Sequence, residues 1–160
     1  IIMPLKIREA IPEDSQTIFN FIMELAIYEK LPNEVKTTVE EIEKSIFAPN
    51  STVKALICEE DGKAIGYSVY FYNYSTWLGK NGIYLEDLYV SESKRKRGAG
   101  KALLKFLAQK ALEENCGRFE WSCLDWNTPS REFYESFGAM AKTEWIVYRL
   151  EGVDLENFAK

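Results

Sequence analysis

Histidine is absent from the 160-residue chain. Imidazole is the side chain that most often handles protons near neutral pH and a common metal ligand. Its absence excludes Ser-His and Cys-His nucleophilic machinery and histidine-ligated zinc. Any catalysis must therefore move protons with carboxylates, tyrosine, lysine, cysteine or water. Cysteine is scarce: Cys58, Cys116 and Cys123 are the three present. They form no CxxC pair and leave an odd count, which points to buried thiols rather than a disulfide framework or a metal site. No apolar run approaches the roughly 20 residues that a membrane-spanning helix needs. The opening Ile1-Ile2-Met3-Pro4-Leu5-Lys6 also lacks the basic and then apolar regions of a signal peptide. A cytoplasmic protein without a membrane partner is expected. Internal repeats, low-complexity tracts and linkers are missing too, so residues 1–160 read as one domain, with 46% hydrophobic residues to fill its core.

Positive charge is in deficit. With 20 Lys and Arg against 25 Asp and Glu, the net charge is −5, which disfavours nucleic acid as a partner and suits a cationic substrate. The exception is a dense basic run, Arg95-Lys96-Arg97-Gly98-Ala99-Gly100-Lys101, between the strand-like Leu88-Tyr89-Val90 and a helical stripe of Leu103, Phe106, Leu107 and Ala111. A strand, a glycine turn and a helix N-terminus in that order can bind an anion. The glycines let backbone N–H groups approach a pyrophosphate, and the helix end and basic side chains add positive potential. The charge run alone suits a solvated turn better than an anion site. Its spacing fits neither the P-loop nor the dinucleotide fingerprint, which needs a glycine where Leu103 stands.

Elsewhere the pattern alternates strand and helix. Leu5–Arg8 reads as a strand, Ile18, Phe21, Ile22 and Leu25 recur at helical spacing, and Thr38 to Phe47 forms a second amphipathic stretch. Val53–Cys58 and Ala64–Tyr72 flank Asp61-Gly62, a tight-turn pair, and so read as a hairpin. A loop from Asn73 to Gly82 is expected, then strands at Ile83–Val90, Phe119–Leu124 and Trp145–Leu150. Thr128-Pro129 reads as an N-cap followed by proline at the first helical position, and Gly138 as the stop of that helix. The sum is an α/β (α+β) domain whose mixed, largely antiparallel sheet has about six or seven strands flanked by helices.

Arg95, Gly98 and Gly100 match the Arg/Gln-x-x-Gly-x-Gly/Ala signature of the GNAT acetyltransferases, and the likeness continues along the chain. Leu25-Ala26-x-Tyr28-Glu29, Trp77-Leu78-Gly79-Lys80, Tyr84-Leu85-Glu86-Asp87, Asp125-Trp126-Asn127 and Phe133-Tyr134-x-x-x-Gly138-Ala139 resemble landmarks of the diamine (spermidine/spermine) and thialysine acetyltransferases. The resemblance implies a GNAT fold, acetyl-CoA as co-substrate, a small cationic amine as acceptor and a homodimer. It places acetyl-CoA on Leu88, Tyr89, Val90, the turn Arg95, Lys96, Arg97, Gly98, Ala99, Gly100 and Lys101, and on Asn127 and Tyr134.

The chemistry needs a neutral amine, a polarised thioester carbonyl and a proton for the departing thiolate. An amine of pKa about 10.4 costs about 4.6 kcal/mol to deprotonate at pH 7, so a base is required, and the resemblance gives that role to Glu86, acting through water. Strand alternation sends Asp87 to the opposite face. The resemblance makes Tyr134 the general acid, with an ordinary half-buried helix tyrosine as the competing reading of its spacing, and Val90 the source of a backbone N–H for the carbonyl. Cys123 as an acyl carrier is disfavoured, since nothing in the chain resembles a histidine activator. Tyr28, Glu29, Tyr74, Trp77, Glu86, Asp87 and Trp145 fall on substrate-channel positions, where aromatic faces and carboxylates hold a cationic chain. Ser75 and Thr143 stand where spermidine/spermine enzymes carry acids, although Glu144 is one residue away. Together with Asp125 this favours a lysine-like or diamine acceptor over spermine. A protein N-acetyltransferase and a non-catalytic acyl-CoA-binding regulatory domain are the alternatives; the presence of both Glu86 and Tyr134 argues against the second.

Overall fold

The computed structural model describes residues 4–160, so the first three residues of the opening stretch considered above lie outside it. The chain divides into two compact units, one ending at Ser122 and the other Cys123–Lys160. In the first unit β1 (Leu5–Glu9), β2 (Val53–Glu60), β3 (Lys63–Ser75), β4 (Lys80–Val90) and β5 (Phe119–Trp121) form one sheet in the order β1-β2-β3-β4-β5. The first three pairings are antiparallel and β4–β5 is parallel.

Helices α1 (Ser15–Tyr28) and α2 (Val39–Phe47) cover one face. Their Ile18, Phe21 and Ile46 pack with Ala55, Ile57, Tyr67, Val69 and Tyr89 in one buried cluster. Thr38 caps α2: its side chain accepts from Glu41 N at 3.2 Å while Glu41 reaches back to Thr38 N at 3.1 Å. The helix α3 (Ala99–Glu113) lies against β1 to β5 and buries Leu103, Leu104, Leu107 and Ala111.

The hairpin at Asp61-Gly62 has both residues at positive φ, 54° and 73°, as a two-residue turn matched to strand twist requires. The expected loop after Tyr72 is instead mostly ladder. Asn73 pairs with Gly82, Tyr74 with Asn81 and Ser75 with Lys80, leaving a short turn. Gly82 permits this, because a Cβ there would come within 2.5 Å of Asn73 Oδ1 and 3.1 Å of Arg118 O. Composition around Asn73 and Gly82 disfavours a strand, and the partner strand overrides it.

The sheet therefore has five strands rather than six or seven, and Trp145–Leu150 is not one of them. A strand exists through its ladder partner, and the second unit consists of α4 (Thr128–Ser136), α5 (Gly152–Phe158) and connecting segments. Alternating apolar residues alone do not make a strand. The N-cap of α4 is Asn127 and not Thr128: Asn127 Oδ1 accepts from Ser130 N at 3.3 Å. Gly138, at φ 96°, follows the end of α4 as expected.

Arg8 joins the start of the sheet to α1 by gripping Asp14 through two 2.8 Å bonds and pairing with Glu59. The guanidinium, opposed by partial burial, holds the Asp14 carboxyl below its ordinary value. A carboxyl lowered on folding adds stability that is present above its unfolded pKa and is lost as pH falls through the lower folded value. Asp14→Ala is expected to cost about 1–3 kcal/mol at pH 7, read by urea denaturation. The gap from the parent should close as pH falls below about 4.

Candidate active site

The site-forming region of the first unit begins at an irregularity in the β3–β4 ladder. Val69 pairs with Asp87, yet the next residue, Tyr70, pairs with Leu85, so Glu86 is an extra residue in β4. A bulge of this kind re-aims side chains beside it. Simple alternation fails across it: Leu85 shares a face with Tyr70, whereas Asp87 and Tyr89 share the α1 face with Val69 and Tyr67. Glu86 is exposed and Asp87 half-buried.

Asp87 meets the end of α1. Tyr67 Oη donates to Asp87 Oδ2 at 2.7 Å, and Glu29, the C-cap of α1, is close enough for the two carboxylates to repel. Burial raises the Asp87 pKa, opposed by the Tyr67 hydrogen bond. Burial, and then the charge of Asp87, raises that of Glu29. A partly desolvated pair of like charges with aromatic neighbours is relieved by a cation. Tyr28 borders it, and its ring lies under the Arg95 guanidinium at 4.9 Å.

The basic turn is more committed to the protein than its sequence implies. Arg95 Nε donates to Val90 O at 2.9 Å, and its guanidinium also lies 5.2 Å from the Tyr89 ring. Tyr89 Oη in turn donates to Glu24 at 3.2 Å. Lys94 and Arg97 both pair with Glu60, at 3.2 and 3.0 Å, and these contacts, Lys94 first, hold the Glu60 carboxyl below the usual range. Lys96 and Gly98 have φ of 66° and 87°, a left-handed backbone that turns amides into a concave surface. In α3 the first bond back to the cap runs from Ala102 N to Gly98 O at 2.9 Å, so the amides of Ala99, Gly100 and Lys101 belong to the helix end that lacks intrahelical acceptors. A Cβ on Gly100 would sit 3.9 Å from Val90 Cγ2, an ordinary contact. Gly98 is constrained by its φ instead. The turn can therefore seat an anion on backbone amides, with Lys101 beside them and Lys94 and Arg97 shared with Glu60.

The remaining sequence-predicted residues are dispersed. Leu88 is half-buried on β4, Tyr74 lies near the end of β3 and is 57% exposed, and Trp77, 88% exposed, is in the turn that follows. Ser75 is buried and accepts from Leu78 N at 3.2 Å, so it shapes that turn. In the second unit, Tyr134 is on α4 with the rings of Phe133 and Phe137 beside it at 5.7 and 6.4 Å. Asn127 caps that helix, Trp145 is exposed, and Glu144 pairs with Lys142 at 3.4 Å. Sequence reasoning missed Tyr67, Glu60 and the bulge. The one available signal was that a tyrosine inside an apolar strand must find a partner for its hydroxyl.

These features coincide with a known pattern: the Acetyltransferase (GNAT) family matches residues 18–139. The chain belongs to the GNAT acetyltransferase family. A thialysine N-epsilon-acetyltransferase of Sus scrofa is 37% identical over 96% of both chains. An L-ornithine N5-acetyltransferase of Arabidopsis thaliana is 33% identical over 80% of this chain and 53% of that protein. An integron cassette protein from the mobile metagenome of V. cholerae superimposes with a TM-score of 0.83 at 28% identity, covering 99% of each chain. This GNAT protein is an acetyl-transferring enzyme, and GNAT enzymes use acetyl-CoA as co-substrate. No helix among the described residues is long and apolar enough to cross a membrane.

A side chain branched at Cβ is poorly tolerated at the φ of Gly98. Gly98→Val is expected to weaken acetyl-CoA binding by about tenfold or more through a displaced turn, measured by isothermal titration calorimetry; unchanged affinity would separate this turn from the cofactor.

Proposed function

We propose that the protein transfers the acetyl group of acetyl-CoA to a primary amine of a small basic molecule, a lysine analogue such as thialysine or a short diamine. The observation that carries the acceptor class is the half-buried Asp87 carboxylate, held by Tyr67 Oη at 2.7 Å, with Glu29 beside Tyr28 at the end of α1 within reach of its charge, an acidic arrangement that a cation relieves. The acceptors named for the thialysine and ornithine relatives carry a primary amine at the end of an amino-acid side chain, which supports the same class. The family match spans parts of both units, in keeping with one catalytic domain over residues 1–160; the resemblance adds a homodimer, and the cytoplasm is the compartment proposed from the sequence.

In the proposed reaction the pyrophosphate of acetyl-CoA rests on the turn Arg95–Lys101. Its arm runs along Leu88, Tyr89 and Val90 in the manner of an added strand and reaches Asn127. Tyr28, Tyr74, Trp77 and Trp145 provide aromatic faces for the acceptor, with Glu29 and Asp87 for its charge. Glu86 accepts the amine proton through water. The neutral nitrogen attacks the thioester carbonyl, which is polarised by a backbone N–H near Val90. A C–N bond forms and the C–S bond breaks, the nitrogen gives up its second proton to solvent, and Tyr134 gives the thiolate its proton before regaining one from solvent. The support for Glu86 is its place at the bulge next to Asp87. The support for Tyr134 is the motif that contains it.

Initial velocities with acetyl-CoA and thialysine both varied are expected to give intersecting double-reciprocal lines; parallel lines would indicate an acetylated enzyme and overturn direct attack. Tyr134→Phe should lower kcat about a hundredfold with acetyl-CoA affinity nearly unchanged, and equal turnover would remove it as the acid. Arg95→Ala should act the other way, weakening acetyl-CoA binding about tenfold with a much smaller change in kcat. Both follow from single-turnover rates set beside calorimetric affinities.

A further inference from the structure

Tyr67 is fully buried, and its ring belongs to the core. Phe21 stacks on it, with centroids 5.4 Å apart and planes 13° from parallel. A phenylalanine would fill this space equally well, so packing explains the ring and leaves the hydroxyl unexplained. The hydroxyl is the atom that leaves the apolar cluster, and it ends 2.7 Å from Asp87 Oδ2. Tyr67 and Asp87 stand diagonally across the β3–β4 ladder, since Tyr67 pairs with Tyr89 and Val69 with Asp87, a separation that a long side chain spans. The bulge at Glu86 brings Asp87 to the α1 face, where Tyr67 can reach it. Among the described residues no other hydrogen bond reaches that carboxylate.

We infer that Tyr67 is a positioning residue for the acceptor: its hydroxyl occupies one oxygen of Asp87 and turns the other, together with the Glu29 carboxylate, toward an ammonium of the acceptor other than the one acetylated. The inference rests on the amine-acetylating function proposed above. Asp87 receives the hydrogen bond of Tyr67 from β3, its charge acts on Glu29 at the end of α1, and it follows Glu86 on β4. A donated hydrogen bond favours the ionised carboxylate against burial, and it fixes the rotamer at the same time. Both effects act on the ammonium that is held and neither acts on the thioester. Loss of the hydroxyl therefore belongs in the acceptor KM.

The test is steady-state kinetics of Tyr67→Phe, Asp87→Asn and the double variant, with thialysine and putrescine as acceptors. Tyr67→Phe is expected to raise the acceptor KM about tenfold, the ratio for a hydrogen bond to a charged group, while kcat and the KM for acetyl-CoA stay within about twofold. In the Asp87→Asn background the same change should add little, because the carboxylate it serves is gone. An acceptor KM unchanged in an active Tyr67→Phe enzyme, a fall confined to kcat, or equal effects of Tyr67→Phe with and without Asp87 would overturn the inference and leave the amine-acetylating function standing. Failure of the unsubstituted protein to acetylate any amine would overturn that function, and the inference with it.

Discussion

The first unit is organised by the β3–β4 ladder and its single register shift. The pairing is continuous from Ser75–Lys80 to Tyr70–Leu85, skips Glu86, and resumes from Val69–Asp87 to Gly66–Val90. Before the skip, Leu85 faces away from the α1 cluster; after it, Asp87 and Tyr89 face toward α1. One inserted residue thus brings a carboxylate and a tyrosine to the C-terminal end of α1, beside Tyr28 and Glu29. It also leaves Glu86 at the break, where backbone pairing is interrupted and a side chain can be re-aimed.

The far end of the same ladder leads into the basic turn. Ser91 N donates to Ile65 O at 2.8 Å, so the chain leaves β4 on a fixed heading. Arg95 then folds back to Val90 O and to the rings of Tyr28 and Tyr89. This guanidinium is a physical link between the turn and the C-terminal end of α1. Glu60, at the end of β2, holds Lys94 and Arg97. The Glu60 side chain is mostly covered while the two cations are part-exposed, so the pairs fix where two cations stand beside the turn.

Much of this could be read from the residues. The Asp61-Gly62 hairpin, the three main helices and the strand–turn–helix around Gly98 follow from local chemistry, because turn glycines, caps and helical stripes are local constraints. The turn signature together with the landmarks along the rest of the chain also pointed to the family. What was not legible depends on partners distant in sequence. The strand status of Asn73–Ser75 needed Lys80–Gly82, and the expected strand at Trp145–Leu150 lacked the ladder that would define it. The bulge at Glu86 carries no glycine or proline to announce it, and strict alternation does not hold between Leu85 and Asp87. Tyr67 looked like core because its ring is core; only its hydroxyl, which spacing cannot resolve, belongs to the site. Arg95 read as a cofactor cation, and the geometry adds a second attachment that no six-residue pattern contains.

The central claim is that the paired carboxylates at Glu29 and Asp87 serve acetylation of a small cationic amine. The most direct measurement is thiol release from acetyl-CoA with thialysine, lysine, putrescine, spermidine, spermine and a lysine-bearing peptide, with the acetylated product identified by mass spectrometry. Rapid release with thialysine or a short diamine, weaker release with spermine and little with the peptide is the predicted result. Binding of acetyl-CoA without release across the panel, or a clear preference for the peptide, would contradict it.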